Sequence, residues 1–203
     1  MHYIKIKASF IEDEKRLYRK LYVRSDISLY ELGCVLVEAF YGTFSHYFYF
    51  EDEKRLYYPK CFLNELGEEN AVLMSNHNLF DVTFPLKFFY DTGEGYEFNI
   101  TQDGAEYFDT RYNVKDQTLA FFIDGKGLGI FEDDITTLRA YLDGEIDVND
   151  DLETSDIFRL PWNMIMGKIS EFDEPLKFVE VQGRINHALT SKRILNRNDC
   201  EYE

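Results

Sequence analysis

Asp91, Glu94 and Glu97 put three carboxylates around one glycine-bearing turn, the grouping that comes nearest to a chemical site in this 203-residue chain. Oxygen ligands this close together can hold a divalent cation or a cationic group on a partner. His46, brought to the turn if the flanking strands pair, would add a side chain that changes charge near neutral pH. The plainer reading of the same carboxylates is conformational, since turns favour Asp and Gly for backbone reasons and an exposed Glu is satisfied by water. We take that plainer reading as the default.

Other patterns that could carry chemistry fail on spacing. Asp143–Asp150 has the acidity of a calcium loop, but its sixth position is Val148 instead of glycine and its twelfth is Thr154 instead of a bidentate Glu. Gly125-Lys126-Gly127-Leu128-Gly129 matches neither glycine pattern of a phosphate loop and reads as a turn. His2, His46, His77 and His187 show no paired metal-ligand spacing, and the chain has no nucleophile elbow. Cys34, Cys61 and Cys200 are odd in number and far apart, which argues against a disulfide framework, and Cys34 reads as a small buried hydrophobe. The sequence therefore calls for no cofactor.

The elements that must hold these residues follow from periodicity. Tyr3–Ala8 alternates with period two, as do Leu17, Arg19, Leu21 and Val23 against Tyr18, Lys20 and Tyr22, which predicts two strands joined as a hairpin. Ser28-Leu29-Tyr30-Glu31 is a capping box. It opens a helix with Leu29, Leu32, Leu36 and Phe40 on one stripe and Gly42 as the left-handed stop. Aromatic strands over 46–50 and 55–58 flank a charged turn, 63–70 reads as a short helix or loop, and 86–90 pairs with 96–101 around the Asp91–Gly95 turn. A further strand over 119–123 and a helix over 134–141 follow. This order predicts an α+β fold, a mainly antiparallel sheet with a packed helix, and fits a β-grasp-like core. Residues 1–145 form the domain and 146–203 an acidic, helical or irregular extension; its apolar Pro161–Met166 island reads as the segment that docks the extension on the domain, with a partner-binding hot spot as the alternative.

With 38 acidic against 22 basic residues the formal charge is −16, a field that repels phosphate backbones and anionic membrane surfaces. The N-terminal alternation of Lys5 and Lys7 with Ile4 and Ile6 is neither a signal nor a transit peptide, and no apolar run is long enough to span a bilayer. A cytoplasmic location is expected.

Three segments together resemble the plasmid pRiA4b ORF-3-like family. They are Leu17–Val23 with Leu29, Leu32, Ala39-Phe40-Tyr41-Gly42 and Ser45-His46; then Phe89–Phe98; then Ile123-Asp124-Gly125 with Gly129-Ile130-Phe131-Glu132-Asp133. The resemblance covers about residues 3–145 and implies a fold without an established activity. It also marks departures: Tyr96 and Phe98 stand where the family pattern has Trp and His, and Phe48 where it has a second histidine after His46. Both histidines would have been the natural bases or metal ligands.

The reading that follows is a non-enzymatic protein-binding or adaptor protein, tied through the resemblance to plasmid or mobile-element biology, with its binding surface around Arg19, His46, Asp91, Glu94 and Glu97. Two alternatives stand beside it. One is a metal-assisted hydrolase or nuclease, if the turn carboxylates converge. The other is a nucleic-acid-associated protein or an acidic DNA mimic, to be told apart by whether Lys and Arg gather on one face.

Overall fold

Alternating apolar residues make most of the strands half-buried, and among the described residues eight strands assemble into one open sheet in this computed structural model. It describes residues 2–60, 62–63, 70–104, 118–132, 134–146 and 162–191, with backbone alone at 162–166. Residues 64–69 of the expected segment 63–70, the acidic stretch 147–160, Pro161 and the side chains of the rest of the Pro161–Met166 island lie outside the described residues.

The strands are β1 (Tyr3–Phe10), β2 (Tyr18–Arg24), β3 (Phe48–Glu51), β4 (Leu56–Tyr58), β5 (Ala71–Leu73), β6 (Leu86–Tyr90), β7 (Tyr96–Gln102) and β8 (Ala120–Lys126). Their spatial order is β5-β4-β3-β6-β7-β1-β2-β8, antiparallel throughout except for β4 with β5. The α+β reading is right. A β-grasp core would set a parallel strand beside β1, whereas both its neighbours, β2 and β7, run antiparallel to it.

Helix α1 (Leu29–Ala39) begins at the expected capping box: the Glu31 amide donates to Ser28 Oγ at 3.2 Å and the Ser28 amide to Glu31 Oε2 at 3.0 Å. Its end differs from expectation. The left-handed residue is Tyr41, with φ 59°, one position before Gly42. The Tyr41 amide donates to Glu38 O and the Gly42 amide to Val37 O at 2.8 Å, the bond pattern of a Schellman cap. Gly42 serves packing instead, because a Cβ there would come within 3.1 Å of Val37 and 3.2 Å of Ile130.

Nearly all of α1 is buried, because it is covered on both sides. The sheet lies beneath it, closely enough that a Cβ on Gly33 would meet the Phe48 ring at 2.0 Å. Above it lies a C-terminal helix. Chain order after β8 gives α2 (Ile135–Leu142), α3 (Trp162–Phe172) and α4 (Phe178–Thr190). Val181, Ile185 and Ala188 of α4 are fully buried, and Arg184 bonds to Glu38 O, Glu38 Oε2 and Gly42 O. Gln182 reaches the outer edge of β8: Phe122 N–H donates to Gln182 Oε1 at 2.8 Å, and Gln182 Nε2 donates to Ala120 O at 3.2 Å.

The opposite face of the sheet carries the other half of each alternation. Tyr49 stacks on Phe89, with centroids 4.5 Å apart, and Lys7 stands directly across from Lys20. The lysines of this face are largely matched: Lys5 pairs with Asp103, Lys20 with Asp124 and Lys87 with Glu97.

Candidate functional site

The three segments that carry the family resemblance meet at one end of α1. The Schellman turn directs the chain into Thr43–Tyr47. Tyr47 O accepts the Asp91 amide at 3.0 Å, which fastens the β6–β7 turn beside His46. Asp91 takes a left-handed φ of 51°, and its Oδ1 accepts from the amides of Gly93 (3.2 Å) and Glu94 (3.3 Å). Asp is one of the few side chains that tolerates this conformation, by bonding locally to its own turn.

The third segment closes over the helix end. Ile130 N–H donates to Phe40 O at 2.8 Å, and Gly129, at φ 138°, lies so close that a Cβ would stand 1.9 Å from that oxygen. The Tyr96 hydroxyl bonds to both Phe131 O and Phe131 N, fixing the approach of Glu132. Glu132 Oε1 then accepts from the Thr43 amide and from the Tyr90 hydroxyl at 2.7 Å, a hydroxyl also 2.7 Å from Thr43 O. Burial, and then the Glu132 carboxylate, push the Tyr90 phenol above its ordinary pKa.

His46 lies between two carboxylates. Its Nδ1 is 3.4 Å from Asp91 Oδ1 and its Nε2 is 3.6 Å from Glu132 Oε2, with the ring edge-on to Tyr90. The Asp91 side chain is 5% exposed, that of Glu132 17% and that of His46 26%. Asp91 Oδ2 and Glu132 Oε2 are buried oxygens that accept no hydrogen bond. An open depression lined by Ser45, His46, Tyr47, Asp91, Thr92, Gly93 and Glu94 adjoins the cluster. On the other side of the same loop a smaller pocket is lined by Tyr30, Phe44, Phe48 and Pro59.

Of the residues expected to form one surface, His46, Asp91 and Glu94 come together. Glu94 also has a structural task, since its Oε2 accepts the Ile135 amide at 3.2 Å, at the start of α2, where Asp134 caps Thr137. Glu97 points to the opposite face of the sheet, 2.9 Å from Lys87, so the three turn carboxylates do not converge. Arg19 is not on a surface at all. It is fully buried over the Phe40 ring, donating from Nε to Ala39 O (2.6 Å) and from its two terminal nitrogens to Tyr18 O, Lys126 O and Leu128 O (2.7 to 2.9 Å). Desolvation pushes its pKa down to about 9, so it keeps its charge at neutral pH. Charge reversal there would test folding, not binding. Two members of the cluster, Tyr90 and Glu132, were not picked out by sequence. Both lay within or beside the family-like segments, Tyr90 before Asp91 and Glu132 after Phe131.

Among the described residues no group of three or more His, Cys, Asp or Glu is placed to hold a metal ion, and no helix is long and apolar enough to cross a membrane. Cys34 is buried, and desolvation raises its thiol pKa, so it is no nucleophile.

None of the curated proteins matches this chain. Among solved structures, a protein of unknown function from Methanosarcina mazei Go1, MM3350, shares its fold with a TM-score of 0.54 at 15% identity, over 74% of this chain and 91% of that one. The convergence of the three segments at the α1 terminus agrees with a sequence match over residues 2–154, by which this chain belongs to the plasmid pRiA4b ORF-3-like protein family.

Proposed function

We propose that this chain is a non-enzymatic binding protein that presents the depression beside His46 to another protein. One observation carries this reading: the polar groups around the depression are committed to holding three backbone segments in place. Asp91 fixes its own turn, Glu94 the start of α2, and Glu132 the Thr43 segment, which leaves an accessible, rigidly supported concave surface. Fixed surfaces bind with less ordering cost than mobile ones. A hydrolase built on Asp91, Glu94 and Glu97 finds no support, because Glu97 lies on the opposite sheet face from the other two and the three carboxylates do not converge.

The partner is to be sought among proteins of plasmid or mobile-element maintenance, a direction that rests on the family name alone, and in the cytoplasm, the location expected from the sequence. In this reading residues 146–203 are an extension whose helix α4 supports the domain from the α1 side. The lysines of the open sheet face, mostly matched by carboxylates, do not favour nucleic acid.

The test is capture from the native host with tagged wild-type chain, with Thr92→Arg, which fills the exposed rim of the depression, and with Thr101→Arg on the far face. The expected result is a protein retained by wild type and Thr101→Arg and lost with Thr92→Arg. The same proteins on all three, or none on wild type, would remove the reading.

A further inference from the structure

We propose that the open face of the sheet carries a seat for a compact phosphate dianion, held by Lys7, Lys15 and Lys20. A depression of about 430 Å³ lies there, lined by these lysines together with Tyr18, Thr101 and Glu14. It shares no residue with the depression beside His46 and requires no protein partner. Strand register gathers the charge. Lys7 stands directly opposite Lys20 on β2, with Thr101 of β7 on its other side. Like charges facing each other across a ladder destabilise a sheet. Both ammonium groups lie over the Tyr18 ring, 5.2 and 5.7 Å from its centroid, which offsets part of that repulsion and holds the two together.

The third lysine comes from the β1–β2 hairpin. Asp13 Oδ1 accepts from the amides of Lys15 (3.1 Å) and Arg16 (3.0 Å), which pins the turn that carries it. Glu14 in the same turn offers Lys7 its backbone carbonyl, at 3.3 Å, and not its carboxylate. That bond uses one of the three donors on the Lys7 ammonium. Among the described residues neither Lys7 nor Lys15 has a carboxylate partner, in contrast to Lys5, Lys20 and Lys87. In a chain of net charge −16 the spot is a local excess of positive charge.

The flanks limit the ligand to a small one. Asp103, held by Lys5 on the β7 side, and Asp124, held by Lys20 on the β8 side, border the lysines. A nucleic-acid strand laid across the sheet would run its phosphates over one of these carboxylates, whereas a single phosphate group spans neither. Such a group carries about −1.5 to −2 charges at neutral pH and three strong acceptor oxygens, a match for three ammonium donors. The depression has room beyond a phosphate for a short organic group, with Thr101 and Gln102 as uncharged hydrogen-bonding side chains on its rim. Inorganic phosphate and a small phosphate monoester share this chemistry.

The experiment titrates the isotope-labelled full chain with sodium phosphate and, separately, with glycerol 3-phosphate, following backbone amides by NMR at ionic strength held constant with sodium chloride. Saturable shifts are expected at Lys7, Tyr18, Lys20 and Thr101. Lys7→Gln and Lys15→Gln should each weaken binding about threefold or more, and Glu14→Gln should tighten it. Lys87→Gln, on the same face but paired with Glu97, should change nothing. Tighter binding of glycerol 3-phosphate identifies a monoester as the ligand, and equal binding identifies phosphate itself. Shifts that do not saturate, that sodium chloride alone reproduces, or that persist undiminished in folded Lys7→Gln would each overturn the proposal. A single-stranded oligonucleotide binding more tightly than both probes would overturn it in favour of nucleic acid.

Discussion

Arg19 and His46 meet the same loop, one through Leu128 O and the other beside Glu132, yet they are opposite kinds of site. Arg19 is a cation without exposure, surrounded by neutral carbonyls, each fixed in a strand, a helix end or the loop. Its partners cannot titrate or leave, and no solute can reach it. His46 is a quarter exposed, its neighbours are carboxylates, and two of their oxygens accept no hydrogen bond. What separates a structural charge from a usable one is therefore not the residue type. It is whether the partner set is complete and closed to solvent.

The contrast would break most sharply at Arg19. Arg19→Met keeps the apolar stem but removes a buried charge and its four hydrogen bonds to backbone carbonyls, and should cost about 4 kcal/mol of unfolding free energy in urea titration. A loss under about 1 kcal/mol would mean that the carbonyls find other donors and that the node is not closed. At the other node Tyr90→Phe removes one hydroxyl shared by Glu132 Oε1 and Thr43 O, and should cost about 1–2 kcal/mol in the same assay.

The smallest effect sharpens the comparison through a third charged group, Asp52. Burial raises its carboxyl pKa, but donors from the Thr83, Lys54 and Arg55 amides and the Tyr57 hydroxyl outweigh that and hold it below the ordinary value. A depressed folded value means stability that is fully present above the unfolded pKa of about 3.9 and is lost as pH falls through the folded one. Asp52→Asn should therefore show a flatter stability profile than wild type below about pH 4. Parallel profiles would show that its partner set is not as complete as its bonds imply.

Much of this was legible. The alternation Leu17, Arg19, Leu21, Val23 had already placed Arg19 on the apolar side of β2, and only its charge suggested a surface role. Period two likewise separates Glu97 from its neighbours Tyr96 and Phe98. The capping box of α1 was readable because all its partners are local. Glu132 could not be assigned, because its task depends on how the loop after Gly129 crosses the helix end, a contact about ninety residues distant in sequence. Tyr41 in the left-handed position was hidden for a similar reason: glycine next door is the usual choice, and the tyrosine ring lies 4.8 Å from Arg184 of α4.

Gln182 closes the β8 edge with one donor and one acceptor, as an added strand would. Growth of filaments by strand addition at that edge must first undock α4, so its nucleation barrier includes re-exposing Val181, Ile185 and Ala188 to water. Self-association of this chain through β8 is thereby coupled to loss of α4, and resistance to polymerisation becomes a property of residues beyond the family-matched region.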